Sequence, residues 1–365
     1  MEDLPMMKPV ELRNNVWWLA NRSESLLEVN VYLLCYPHEK GQANLILDPG
    51  PPELLACLQK AAVPIIGGLE KVNGVLINHQ DPDVAPNAAY LQKLNPQCMV
   101  VASEDTWRLI HFFGLKASRF KAVESYRNHR AVMPGGCRLI FVPSPFCHFR
   151  GAMMYYDERS RILFSGDLFG GLSYTPDLYA DETSWEGIKT FHQLYMPSRD
   201  ALRLAVSRIR NLDPQPEMIA PQHGSIIQGA LIKDFLDRMY KLDVGLDLLI
   251  ASEKAENYLG AVNEMLDELG REASGEALAK GIAALNRDKS FTSVMTFAGS
   301  KVTGFKVEPP TAVKILLDHL RAYGGAGLES LVNLVALKTL IGRNIPVGDI
   351  LPQSSGEHDL PDYFE

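Results

Sequence analysis

The segment Asn78-His79-Gln80-Asp81-Pro82-Asp83 offers three metal-ligating side chains at alternate positions. In an extended loop alternate side chains point the same way, so His79, Asp81 and Asp83 can converge on one spot. The segment also reads as a polar turn whose aspartates cap a helix beginning near Pro86. Three further sites place a polar residue just past an apolar strand. His148 follows Arg138–Val142 and a Pro-Ser-Pro turn, Asp167 closes Ser165-Gly166-Asp167, and His223 lies in Ala220-Pro221-Gln222-His223-Gly224. Strand ends of this kind are where open sheets present ligand sites. Imidazoles mixed with carboxylates form a donor set for transition metals.

The elements that must carry these residues alternate between strand and helix over the first two-thirds of the chain. Strands are expected at Val16–Ala20, Leu27–Tyr36, Ala43–Leu47, Gly74–Ile77, Met99–Ala102, Arg138–Val142, Gly151–Tyr156, Arg161–Phe164 and Met218–Ala220, from β-rich apolar runs bounded by turn residues. Helical spacing marks Pro52–Ala62, Pro86–Leu94 and Asp200–Ile209. Past residue 230 the pattern becomes helical and charged, over Leu231–Leu269, Ala277–Asn286, Thr311–Ala322 and Leu328–Ile341. The tail from Pro346 to Glu365 is rich in Pro, Ser and acids and is expected to fray.

Composition narrows the function classes. The chain has 365 residues with 36 Lys and Arg against 44 Asp and Glu, a net charge of −8. At roughly 100–200 residues per domain this suggests two or three domains. The acidic balance argues against nucleic acid as a partner, since gripping a phosphate backbone relies on clustered Lys and Arg. No apolar run is long enough to span a membrane, and Met1–Leu12 lacks the apolar stretch of a signal peptide. Five cysteines without a C-x-x-C fit free thiols in a reducing compartment, so a cytoplasmic location is expected.

The ordered pattern H-x-[acid]-x-D, then H, then G-D, then P-x-H-G resembles the metallo-β-lactamase superfamily over residues 1–230. The turn Asp48-Pro49-Gly50 looks like the early D-x-G turn of that fold. The resemblance implies an α/β protein, an αββα sandwich with a two-metal site at one sheet edge. The mainly helical region over 231–365 that follows reads either as a dimerisation or output element or as a packing extension that covers the metal domain. Many hydrolases of the superfamily have H-x-H-x-D-H. Here Asp81 replaces the second imidazole and Val84 the last. A carboxylate makes the site harder and suits iron or manganese better than a nitrogen-rich zinc site does. The sequence is therefore closer to the flavodiiron branch, and His79–Val84 resembles the oxygen-binding di-iron proteins. Phe191–Ser198 and Leu212-Asp213-Pro214 are similar to that branch too.

Carried over residue by residue, the resemblance implies two iron ions, with zinc or manganese as substitutes. His79, Asp81 and His148 would hold one, Asp83 and His223 the other, and Asp167 would bridge them. Flavodiiron reductases carry a flavodoxin domain, but no phosphate-loop motif is read after residue 230, and Thr292–Ser300 lacks one, so no flavin is expected in this chain. Binding or sensing dioxygen, or another small diatomic gas, is the expected function. The alternatives are an O₂ or NO reductase fed by a separate redox partner and a metal-dependent hydrolase. A redox or signalling protein and a second copy of the chain are the expected partners, with no nucleic acid and no membrane.

His192 and Tyr195, three apart, would lie over the metal pocket, Tyr195 as a hydrogen-bond donor to bound oxygen. Each also reads as a core residue with a satisfied polar tip. Asn30 resembles a family position near the site and equally suits a buried amide bonding backbone. Cys147 is read as a structural thiol facing away from the metal. The basic run Lys116–Arg130 is read as a solvated face.

Overall fold

Two sheets run through the first part of the chain, and their central strands are short apolar runs buried on both faces. The computed structural model describes residues 8–20, 27–39, 41–172, 177–272, 294–348 and 350–351. A seven-stranded sheet contains β1 (Val10–Arg13), β2 (Val16–Trp18), β3 (Tyr32–His38), β4 (Gly41–Leu47), β5 (Gly74–Leu76), β6 (Met99–Ala102) and β7 (Phe120–Ala122), in that order. A six-stranded sheet contains β8 (Arg130–Val132), β9 (Arg138–Pro143), β10 (Met153–Asp157), β11 (Ile162–Gly166), β12 (Met218–Pro221) and β13 (Ile227–Gln228), also adjacent in chain order. Each sheet mixes antiparallel and parallel pairs: β3 and β4 are antiparallel and β4 and β5 parallel, β10 and β11 antiparallel and β11 and β12 parallel.

Side chains sort by the two-residue period of a strand. On β3, Tyr32, Leu34 and Tyr36 face the other sheet, where they meet Phe141, Tyr155 and Phe164, while Leu33 and Cys35 face helices. The helices on that side are α1 (Leu55–Ile66), α2 (Asn87–Leu94) and α3 (Glu104–Ile110), through Leu58, Ala62, Leu91 and Ile110. On β10, Met153 and Tyr155 face inward, and Met154 and Tyr156 pack under α4 (Ser184–Tyr195), α5 (Arg199–Arg210) and α6 (Ala230–Lys241). Three apolar layers separate four layers of structure, the expected αββα sandwich.

The first compact unit runs from Met1 to Asp247 and the second begins at Leu248. The second has its own core. Tyr258, Val262, Met265 and Leu269 of α7 (Leu246–Glu272) meet Val313, Leu317, Val335 and Leu340 of α8 (Pro309–Gly342), with Met295 and Val302 from a hairpin, β14 (Met295–Ala298) and β15 (Lys301–Phe305). Two local expectations are corrected. The stretch around Met295, in a region expected to be mainly helical, is a strand. Thr311–Ala322 and Leu328–Ile341 belong to one continuous helix, whose intervening glycines lower helix propensity without breaking it. The helix expected at Ala277–Asn286 and most of the tail lie outside the described residues.

No helix among the described residues is long and apolar enough to cross a membrane.

Candidate metal centre

Six side chains meet where strands of both sheets end. The turn after β4 prepares the first of them. Asp48, at φ +50°, is fully buried and accepts a hydrogen bond from the Asn78 amide at 2.8 Å, so the chain leaving β5 is held as it enters His79. Burial pushes the Asp48 carboxyl up to about 7. Asn78 in turn donates from Nδ2 to the Met153 carbonyl, tying the His79 loop to the second sheet.

Asp167 sits at the centre. Its Oδ2 lies 3.5 Å from His79 Nε2 and 3.3 Å from His148 Nε2, while Oδ1 lies 3.5 Å from His223 Nε2. Asp81 Oδ2 joins the first group, 3.1 Å from His148 Nε2 and 3.7 Å from His79 Nε2. Asp83 Oδ2 joins the second, 3.4 Å from His223 Nε2. The ligand-capable atoms of His79, Asp81 and His148 all fall within 4.8 Å of one another. Thus one carboxylate faces two separate donor groups with its two oxygens.

Electrostatics and unmet hydrogen bonds show that this donor set suits cations. His79 is 1% exposed, and neither of its ring nitrogens has a hydrogen-bond partner; Asp167 Oδ1 is likewise buried without one. Buried polar atoms are rarely left so, because each costs about 1–3 kcal/mol. Burial alone would lower the His79 pKa, but the carboxylates of Asp167 and Asp81 overcome it and raise it to about 9. Asp81 is opposed by burial, yet the hydrogen bond from His148 and the charge of the nearby His79 imidazole hold it well below the usual carboxylate range. His223 is set for ligation: its Nδ1–H donates to the Glu28 carbonyl at 2.8 Å, which leaves Nε2 as the free lone pair.

The family described as "ODP family beta lactamase" matches residues 27–224, more than half of the chain. The chain belongs to this family. A solved structure described as a peroxy diiron species of the chemotaxis sensor ODP is 28% identical, with a TM-score of 0.56, over 67% of this chain and 98% of that one. The apo state of the chemotaxis sensor ODP from T. denticola is 27% identical with a TM-score of 0.55, over 66% and 95%. A nitric oxide reductase of Moorella thermoacetica is 22% identical over 242 residues, 60% of this chain. The chain spans 58% of that relative's length and less than half of the diflavin flavoproteins it also matches.

Several residues around the site hold its loops rather than face the six donor side chains. Asn30, fully buried, accepts from the Trp18 indole N–H at 2.9 Å and donates to the carbonyls of Pro221 and Gly224 at 2.9 and 2.8 Å. It therefore clamps the loop that carries His223. Tyr32 adds a hydroxyl bond to the same Pro221 carbonyl at 2.7 Å, a role its sequence context does not suggest. His192 on α4 has both nitrogens committed: Nδ1–H donates to the Ile188 carbonyl at 2.7 Å and Nε2 accepts from the Phe169 amide at 3.1 Å. Burial lowers its pKa to about 4, so it is neutral and fixes the turn just after Asp167. Tyr195 is 46% exposed at the end of α4, its ring 6.4 Å from that of His148 and 4.7 Å from that of Phe191. Phe191 also lies 5.4 Å from the His223 ring, forming an apolar wall to the site. The Cys147 thiol points toward α5, 3.7 Å from the Ala201 carbonyl, and burial pushes it up to about 12. Val84 is fully buried in the α1–α2 layer.

Proposed function

We propose that this chain binds dioxygen at a dinuclear iron centre and serves as an oxygen sensor. His79, Asp81 and His148 would hold one iron, Asp83 and His223 the other, with Asp167 between them. The observation that carries this reading is the Asp167 carboxylate, whose two oxygens face separate His/Asp groups beside buried, unpartnered nitrogens of His79. The relatives described as chemotaxis sensor ODP, one of them as a diiron species, support the assignment of ligand and role.

Reduced iron supplies the electrons and open coordination positions that dioxygen requires. The residues of the chain do the rest. Asp167 sets the spacing between the two donor groups. The Glu28 carbonyl fixes the His223 tautomer, and Asn30 fixes the height of its loop. Phe191 limits water at one side, and Tyr195 stands over His148 at the open side.

The test is to load the full chain with iron, reduce it without air and then admit oxygen. Two irons per chain and an oxygen-dependent visible absorption band are expected, and both should be lost in Asp167→Asn. Protein from iron-replete cells that holds zinc alone and gives no band would sink the proposal. The match to a nitric oxide reductase favours one second reading, turnover of O₂ or NO with electrons from a separate protein. Sustained gas consumption driven by an added reductase would select that reading, and a band stable without turnover would select sensing.

A further inference from the structure

The end of the sandwich away from the six donor side chains carries an open cleft. The parallel neighbours β11 and β12 lead to Asp167 and His223 at one end. At the other end their approaches are braced together. Arg161, just before β11, pairs with Glu217, just before β12, and donates from Nε and Nη2 to the Gln215 carbonyl at 3.1 and 3.0 Å. Beside this brace the cleft occupies about 900 Å³ between β1, the loop before β12, the end of β13 and the helices α5 and α6. Small-molecule sites have volumes of roughly 300–1,000 Å³.

The two sides of the cleft differ in chemistry. Pro216 and Leu236 are buried and Ile232 is half-buried, and together they make an apolar side. Arg13, Arg210 and Lys233 supply cations, and Glu217 and Asp237 are the acids of the lining. Both acids are already engaged. Glu217 receives Arg13 as well as Arg161, and Asp237 receives Arg210. Two guanidiniums therefore share one carboxylate, and Arg13 reaches it with a single Nη1, so its other N–H groups stay available. Lys233 is exposed and pairs with no carboxylate among the described residues, and the exposed Gln228 amide likewise has no hydrogen bond among them.

Counting Arg161, four cations (Arg13, Arg161, Arg210 and Lys233) meet two carboxylates (Glu217 and Asp237), an excess of two positive charges in a chain whose net charge is −8. Neighbouring acids do not cancel it. Asp234 pairs with Arg238 at 2.6 Å, Glu11 accepts the Asn15 amide at 2.9 Å and Asp213 acts on Arg138, and none of the three lines the cleft.

We propose that this cleft binds a small organic anion. Its charged oxygens, of a carboxylate or a phosphate ester, would meet Arg13, Lys233 and the Gln228 amide, and its apolar body would lie against Pro216, Ile232 and Leu236. An entering cation must compete with arginines for Glu217 and Asp237, whereas an anion meets N–H donors that are already free, one of them on a planar guanidinium suited to paired oxygens. The apolar side selects for a body beyond the charged group. The binding does not depend on what the six donors hold.

The experiment titrates the full, iron-loaded chain by calorimetry with phenyl phosphate, benzoate, inorganic phosphate, benzamide and benzylammonium. Phenyl phosphate or benzoate should bind, and the tighter of the two names the charged group. Benzamide, benzylammonium and inorganic phosphate should each bind more weakly. Lys233→Glu should weaken the tighter anion about tenfold, as expected when a charge-assisted hydrogen bond is lost and its charge reversed. Gln228→Ala should weaken it less, and Asp167→Asn should leave it unchanged. Binding that survives Lys233→Glu and is lost in Asp167→Asn would put the anion at the metal centre and overturn the proposal. So would benzylammonium or benzamide binding as tightly as the anions, inorganic phosphate binding as tightly as phenyl phosphate, or no binding of either organic anion.

Discussion

The substitution Asn30→Asp changes one atom and reverses one half of the side chain's hydrogen bonding. The Oδ1 that accepts from Trp18 can stay, but the Nδ2–H₂ that donates to Pro221 and Gly224 becomes an oxygen facing two carbonyls at 2.9 and 2.8 Å. A carboxylate cannot donate, so the folded variant keeps the new carboxyl protonated, with its pKa raised above the unfolded value of about 3.9. Such a group contributes stability that is lost as pH rises from the unfolded pKa through the folded one. At about pH 7, roughly three units above 3.9, protonation costs about 4 kcal/mol, and the one donor bond not recovered adds about 1 kcal/mol. The penalty relative to the parent should shrink by about 1.4 kcal/mol for each pH unit lowered. Urea unfolding of metal-free parent and variant at about pH 5.5 and about pH 7.5 should therefore give penalties that differ by about 2.7 kcal/mol. Because Asn30 clamps the His223 loop, iron content should fall below two per chain as well. A penalty under about 1 kcal/mol that is equal at both pH values would refute the role given to this amide.

Metal should compete with a proton at His79, whose pKa stands at about 9 without metal; affinity for divalent metal should rise up to about tenfold per pH unit between about pH 6.5 and 8.5, measured by competition with a chelator. Gly166→Ala should destabilise the protein by about 1–3 kcal/mol in thermal unfolding and lower iron content, since Gly166 has φ +61° and an added Cβ would come within 3.1 Å of Asn78, next to Asp167. His192 is held neutral with a pKa of about 4, so its contribution to stability is lost as pH falls from about 6.5 toward 4. His192→Leu should remove that part of the acid slope while lowering stability at neutral pH through the lost Phe169 and Ile188 bonds, read from denaturant midpoints across pH.

The six candidate ligands are legible in the sequence because their chemistry is local. Alternation in His79-Gln80-Asp81-Pro82-Asp83 needs only an extended chain, and each remaining candidate follows a strand whose apolar run is itself visible. The strands Met99–Ala102 and Arg138–Pro143 are readable for the same reason. What holds the site is less legible. Asn30 reaches Pro221 and Gly224 across nearly two hundred residues, and no local pattern encodes that pairing. Short edge strands such as β7 and β8 leave little trace because three residues carry little periodicity. The hairpin β14–β15 is hidden because its turn, Gly299-Ser300, reads as a failed phosphate loop, whereas φ +63° at Gly299 makes it a tight turn. The single helix α8 reads as two, since propensity drops at its central glycines while its buried face continues on both sides.

The loops that bring His79, Asp81, Asp83, His148, Asp167 and His223 together leave four different strands, and more than a hundred residues separate the first ligand from the last. A metal pair bound there would be a cross-link between the two sheets as well as a cofactor. It would close long loops that are otherwise held by packing and hydrogen bonds, and its binding free energy would count directly toward resistance to unfolding. Chain lacking iron would populate opened forms more often and be cut by proteases sooner. The amount of this protein in a cell would then follow the supply of iron, and its readiness to respond to oxygen would be limited by the metal before it is limited by the gas.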